Sequence, residues 1–269
     1  MTIITLLTDF GLRDGYPGVM KGVIWKIAPD VQIADISHAI HPQNIFQGAL
    51  ALSRTAPFFP PGTIHVAIVD PGVGTLRRPV GLHLSGHYFI GPDNGLFTLV
   101  LEHTESSGEA VQVFHLDQAS YWLPDVSRVF HGRDIFAPVA AHLAQGIPLE
   151  NMGTLIHDPV RLGIPHPEQI QGGGWRGQVI EIDTFGNLST NIDKDLLTPL
   201  GELQMHIGGQ QINGLVGTFG DRPPGSLIAL YGTTRDLVIS IVNGDAAHAL
   251  NMSVGDVVDV YSASRATSQ

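Results

Sequence analysis

The chain has 269 residues, no cysteine, 43% hydrophobic and 14% charged residues, and a formal net charge of −11. Such a chain builds one large domain or two ordinary ones, which excludes a disordered protein, a disulfide scaffold, a thiolate metal site and a cysteine nucleophile. Its acidity argues against a nucleic-acid partner, whose phosphates call for a basic surface, and a cysteine-free sequence suits the reducing cytoplasm.

Residues 1–7 lack a basic leader and run straight into strand-like sequence, so no signal peptide is expected. No apolar run approaches the ~20 residues needed to span a membrane, so no membrane partner is expected either. Residues 3–7 read as a buried strand that opens into the acid-and-glycine loop Thr8 to Gly18. A helix is predicted over Val19 to Ile27, a strand over Val31 to Ile36, and a second helix over Asn44 to Leu52. The apolar run Ile64 to Val69 is the next strand, and it stops on Asp70-Pro71-Gly72-Val73-Gly74. Pro71 removes a backbone donor, and the glycines permit turns closed to other residues. Strands follow over Val80 to Leu84 and His87 to Ile90, then the tight turn Gly91 to Leu96, and later a helix over Gly132 to Ala144.

This alternation predicts a three-layer α/β domain with a mostly parallel sheet over residues 1–165. The texture then changes through Leu162-Gly163-Ile164-Pro165-His166-Pro167 and the spacer Gln169 to Gly174. Beyond it lie short runs between turn residues: 177–182, 204–207, 211–214, 227–231, 237–242 and 257–261. Only Ala246 to Leu250 reads as helix there. That pattern predicts a small β-barrel domain over 175–269, with the boundary near residue 170.

Four loops gather the polar residues: Asp9 with Asp14; Asp70 with Arg77 and Arg78; His131-Gly132-Arg133-Asp134; and Asp183 to Asn187. Ligand sites favour strand ends and domain junctions, so these loops are the natural lining of a cleft. Each also has a plainer explanation. Asp9 and Asp14 suit a helix cap, His131 a buried histidine bonded to a carbonyl, Asp134 the start of a helix, and Asp183 to Asn187 a hairpin turn. Several chemistries are absent: no phosphate-binding glycine loop, no Gly-x-Ser-x-Gly elbow, and no His-x-x-x-His or Asp-x-His metal spacing in these loops.

Five motifs occur in register: Thr8-Asp9-Phe10-Gly11 through Asp14, Tyr16, Gly18 and Lys21-Gly22; Val69 to Gly74; Gly91-Pro92-Asp93-Asn94-Gly95; Phe130 to Pro138; and Asp183-x-Phe185-Gly186-Asn187. Together they resemble the S-adenosylmethionine (SAM) hydroxide adenosyltransferase family, hydrolytic relatives of fluorinase and chlorinase, over nearly the whole chain. The resemblance implies conversion of SAM and water to adenosine and L-methionine, with the (R)-sulfonium epimer as substrate. It implies no cofactor, no metal, and a homotrimer with sites at subunit interfaces. It places the family's catalytic triad on Asp70, Arg77 and His131, and its adenosine contacts on Asp9, Asp14 and Asn187, with Asp183 and Phe185 beside the last. Relatives often carry an Asn-Ser or Ser-Ser pair before a late strand, where this chain has Gly232-Thr233-Thr234-Arg235-Asp236; Thr233 is the position carried over there. A SAM-dependent halogenase, a non-catalytic SAM or adenosine binder and a metal-dependent phosphatase are the competing readings. The halogenases lack the triad and carry an extra loop for which this chain has no room.

Overall fold

The computed structural model describes residues 2–171 and 173–263; Gly172 of the spacer and residues 264–269 of the second expected domain lie outside the described residues. The chain divides into two compact units, Met1–Leu162 and Gly163–Gln269. Among the described residues no helix is long and apolar enough to cross a membrane.

The first unit runs β1 (Ile3–Thr8), α1 (Tyr16–Ile27), β2 (Gln32–Ser37), α2 (Ile45–Thr55), β3 (Ile64–Ile68), β4 (Pro79–Leu84), β5 (His87–Pro92), α3 (Thr98–Ser106), β6 (Gln112–His115), α4 (Ala137–Ala144) and β7 (Thr154–Ile156). Its seven strands are ordered β2-β1-β3-β5-β4-β6-β7. The pairs β2–β1, β1–β3 and β3–β5 are parallel, whereas β5–β4, β4–β6 and β6–β7 are antiparallel. The sheet is therefore mixed, and the expectation of a mostly parallel sheet holds only for its β2 to β5 part. The reversal comes from the two-residue link Ser85-Gly86, both at positive φ, which closes β4 and β5 as a hairpin.

Alternate residues of the central strands feed two separate cores. Ile4, Leu6, Ile64, Val66 and Ile68 pack with Met20 and Ile24 of α1 and Val139 to Ala141 of α4. Leu7, Ala67 and Val69 pack with Ala49 and Leu52 of α2 and Val100 and Leu101 of α3. Burial on both faces is why β1 and β3 read as continuous apolar runs. Close approach needs glycine at Gly48, where a Cβ would sit 2.9 Å from Val69 and Leu96 side-chain atoms. Helix α1 starts three residues earlier than its apolar spacing predicted, because Pro17 is accommodated in the first turn.

The second unit contains β8 (Glu168–Ile170), β9 (Gly174–Ile182), β10 (Leu188–Asp193), α5 (Lys194–Leu197), β11 (Leu203–Ile207), β12 (Gln210–Asn213), β13 (Leu227–Tyr231), β14 (Asp236–Ile241), α6 (Ala246–Leu250) and β15 (Val257–Ser262). The order β12-β11-β15-β9-β10-β14-β13, with β8 on β9, makes a nearly closed antiparallel, barrel-like sheet. Val216 N–H donates to the Ala229 carbonyl at 2.9 Å, drawing the chain after β12 toward β13. Leu188, Thr190 and Ile192 of β10 and Leu203, Met205 and Ile207 of β11 alternate inward. The helical turn α5 had no periodic signal; it exists because the Asp193 carboxylate accepts from Asp195 N–H and caps it.

Candidate active site

Asp70 follows β3 and Val69 at the sheet's C-terminal edge. The chain then folds back on itself: Val73 N–H donates to the Asp70 carbonyl, and the Thr75 N–H and hydroxyl both donate to the Gly72 carbonyl. Gly74 has φ +76°, and a Cβ there would lie 2.2 Å from the Arg128 carbonyl oxygen. Only glycine lets this loop rest on the segment that leads to His131. The fold-back returns Arg77 to Asp70. Its Nε donates to Oδ1 at 3.0 Å and to Oδ2 at 2.9 Å, and its Nη2 to Oδ2 at 2.5 Å. Both side chains are buried, 8% exposed for Arg77 and 5% for Asp70. The guanidinium lies 5.2 Å over the Phe136 ring.

His131 is delivered from another element. It precedes a π-helical turn, Gly132–Phe136, that runs into α4. The turn is held by Asp134, which is fully buried and accepts from Ser127 N–H at 2.8 Å and from the Arg133 guanidinium at 2.6 and 3.0 Å. Asp134 therefore organises the 127–134 loop rather than simply opening a helix. Such π turns concentrate at functional sites. They present His131 with its Nδ1 2.7 Å from Arg77 Nη2.

A guanidinium only donates, so Nδ1 of His131 accepts and the ring proton resides on Nε2. The ring is neutral: burial first, and the neighbouring Arg77 charge second, hold its pKa below the ordinary 6.5 against the opposing pull of Asp70 and Asp134. His131 thus offers an N–H at Nε2. Arg77 Nη1 is buried and finds no acceptor among the described residues.

The loop carrying Asp9 and Asp14 is brought beside this group by rings. Phe10, Tyr16 and Phe130 meet edge-on, with Tyr16 and Phe130 centroids 5.1 Å apart and Phe10 6.0 Å from each. Asp9 Oδ2 accepts from Gln43 N–H at 2.8 Å, and Asp14 is exposed. Neither acid caps α1, whose N-cap is Gly15.

Asp183, Phe185, Asn187 and Thr233 belong to the second unit. Asp183 accepts from Phe185 N–H and Asn187 N–H, each at 2.9 Å, and from Asn187 Nδ2 at 2.7 Å. It is the acid that builds this turn. Asn187 Oδ1 also accepts from the Ser240 hydroxyl, so the amide retains one N–H and one lone pair for a ligand. Gly186, at φ +79°, packs where a Cβ would meet Asp245 at 2.1 Å. Phe185 and Thr233 are exposed. Of the nine positions expected from the sequence, Asp70, Arg77 and His131 are in direct contact in the first unit, and Asp183, Phe185 and Asn187 in the second. Phe136 beneath Arg77, Gln43 against Asp9 and Ser240 against Asn187 carried no signal of their own, because each contact is long-range. Among the described residues no group of three or more His, Asp or Glu side chains is placed to hold a metal ion.

Comparison with known proteins gives the same family over both units. Residues 4–153 match the SAM hydroxide adenosyltransferase N-terminal domain and residues 177–259 its C-terminal domain. The (R)-S-adenosyl-L-methionine hydrolase of Salinispora tropica is 35% identical over 254 residues, covering 94% of this chain and 95% of that protein. A fluorinase of Actinoplanes sp. is 30% identical over 225 residues, 74% of each chain. A conserved protein from Thermotoga maritima of known crystal structure superposes with a TM-score of 0.89 at 35% identity, covering 96% of this chain and 99% of that one. The chain belongs to the SAM hydroxide adenosyltransferase family.

Proposed function

We propose that the protein hydrolyses (R)-S-adenosyl-L-methionine to adenosine and L-methionine, with Asp70, Arg77 and His131 as catalytic residues. The observation that carries this reading is the Asp70–Arg77–His131 chain, in which Arg77 Nη1 is buried without a partner among the described residues and His131 carries its ring N–H at Nε2. A buried donor without a partner costs about 1–3 kcal/mol, and the oxygen of an attacking water would relieve it. That oxygen bonds to the ribose 5′ carbon as the C5′–S bond breaks. Its electron pair leaves with sulfur, converting sulfonium to neutral thioether, and one proton is released per turnover. Asp70 receives that proton or holds the guanidinium in place while it passes to solvent. A leaving group that departs neutral asks for neither a Lewis acid nor a proton donor, so turnover is expected to be insensitive to chelators. Positioning supplies up to roughly 7–11 kcal/mol of barrier reduction in such a reaction.

Asp9, Asp14 and Asn187 are read as adenosine contacts: a carboxylate can accept from both ribose hydroxyls. Asp183 and Phe185 accompany Asn187, and Thr233 is assigned to the methionine end. We read the assembly as a homotrimer with interfacial sites. Supporting this, the triad's neighbours Leu76 and Val129, and Leu12 of the Asp9 loop, are apolar and 77–101% exposed. Light scattering would test it.

The deciding experiment incubates purified protein with each sulfonium epimer in H₂¹⁸O. Adenosine labelled at its 5′ oxygen, with equimolar methionine, is expected from the (R)-form. Chloride- or fluoride-dependent 5′-halo-adenosine would make it a halogenase, and calorimetric binding without product would make it a binder.

A further inference from the structure

Resting on the reading of Asp9 as a substrate contact, we propose that His38 is a positioning residue that holds the Asp9 loop in its binding shape. His38 follows β2 and its side chain is 2% exposed. It reaches both flanks of Asp9. On one side its Nδ1 lies 2.8 Å from the Thr8 hydroxyl, which itself accepts from Phe10 N–H at 3.2 Å. On the other side its carbonyl accepts from Gly11 N–H at 2.8 Å. The two amides following Asp9 are thus tied to one residue, one of them through one hydroxyl.

The bonding pattern dictates the tautomer. Thr8 Oγ1 accepts from Phe10 and keeps a second lone pair, so the tautomer is set at the other nitrogen: the acceptor-only Asp35 carboxylate beside Nε2 places the neutral ring's proton there, and Nδ1 accepts from the Thr8 hydroxyl. Nε2 faces Asp35 Oδ1 at 3.1 Å without the alignment of a full hydrogen bond, and Asp35 Oδ2 is held by Lys21 Nζ at 2.6 Å. A one-residue slip makes this arrangement possible: Leu6 pairs with Asp35, but Leu7 pairs with Ser37. Bulges of this kind re-aim side chains beside functional sites. The chain leaving His38 also supplies the clamp on Asp9 itself. Gln43, five residues on, takes φ +66°, a costly conformation for a non-glycine residue, and directs its N–H onto Asp9 Oδ2. Among the described residues none of these groups shares a hydrogen bond or ion pair with Asp70, Arg77 or His131, so the device acts on binding and not on the chemical step.

Which nitrogen matters can be tested by choice of amide. In His38→Asn the side-chain oxygen falls near the Nδ1 position and can still accept from Thr8; in His38→Gln the amide falls near Nε2 and cannot. Relative to the parent enzyme, His38→Ala, His38→Gln and Thr8→Val should each raise KM about tenfold, the loss of roughly one hydrogen bond's worth of binding. Their kcat should stay within about threefold, and His38→Asn and Thr8→Ser should retain a near-parental KM. In an Asp9→Ala background, which should itself raise KM, His38→Ala should change KM less than about twofold further. Equal penalties for Asn and Gln, a fall in kcat with KM unchanged, or fully additive effects of Asp9→Ala and His38→Ala would overturn the proposal. Should Asp9→Ala itself leave KM unchanged while the enzyme turns over, the contact role of Asp9 fails, and the inference with it, while the hydrolase reading stands. If His38→Ala does not fold, the Asn and Gln pair and the Thr8 variants carry the same decision.

Discussion

Replacing Asp70 by alanine separates the structural from the chemical role of the buried ion pair. The carboxylate takes contacts of 3.0, 2.9 and 2.5 Å from Arg77, and both side chains are at least nine-tenths hidden from water. Its removal leaves a buried guanidinium whose remaining partner is His131 Nδ1. Breaking one half of a buried pair costs about 3–5 kcal/mol. At about 2–4 °C per kcal/mol for a domain of this size, the melting midpoint should fall by roughly 6–20 °C. Turnover should fall by roughly a hundred- to ten-thousand-fold from loss of the base and of triad geometry, with KM within a few-fold of the parent. The double variant Asp70→Leu/Arg77→Met removes both charges, and it should recover most of the lost stability while remaining inactive. Circular-dichroism melts and chromatographic assay of adenosine release read the two quantities independently. A parental melting curve for Asp70→Ala would refute the buried-pair argument. A kcat within threefold of the parent with a raised KM would make Asp70 a binding contact instead.

His131 must be neutral to accept from Arg77, and its pKa is depressed by burial and then by that charge. The acid limb of kcat/KM should therefore fall below pH 6.5; a limb above it would contradict the assignment. His65 is fully buried against Thr5 and His87, and burial first, His87 second, lower its pKa to about 3. Between pH 3 and 6.5 the unfolded chain binds this proton and the folded one does not. The stabilisation is thus complete above about pH 6.5 and is lost as pH falls toward 3. At 1.36 kcal/mol per pH unit, urea unfolding of the parent should lose about 2–3 kcal/mol more than His65→Asn between pH 7 and pH 4.5. Equal losses would disprove it. Asp14→Ala should act chiefly on KM, and an unchanged value would count against a ribose contact.

Alternation of β and α signals over the first half, and short strands over the second, were legible in residues such as Ile64 to Val69 and Val257 to Tyr261, because one-dimensional patterning reports which faces are covered. Helix α3 and strands β6, β7 and β10 escaped that reading: they are short or weakly periodic, and packing against neighbours, not local preference, makes them. The same division runs through the site. Residue type alone marked Asp70, Gly72 and Gly74 as a carboxylate on a sharp turn, since proline and glycine restrict the backbone wherever they stand. That Arg77 and not Arg78 turns back to Asp70 was decided by tertiary structure. Arg78 is drawn away to Asp93 and Asp158, and the Gly74–Arg128 contact rests the fold-back on the segment leading to His131. The protonation of His131 and the tie between Thr8 and His38 were likewise invisible in sequence. Both depend on which donor lies within 3 Å across 54 and 30 residues of chain, and only the folded backbone sets that distance.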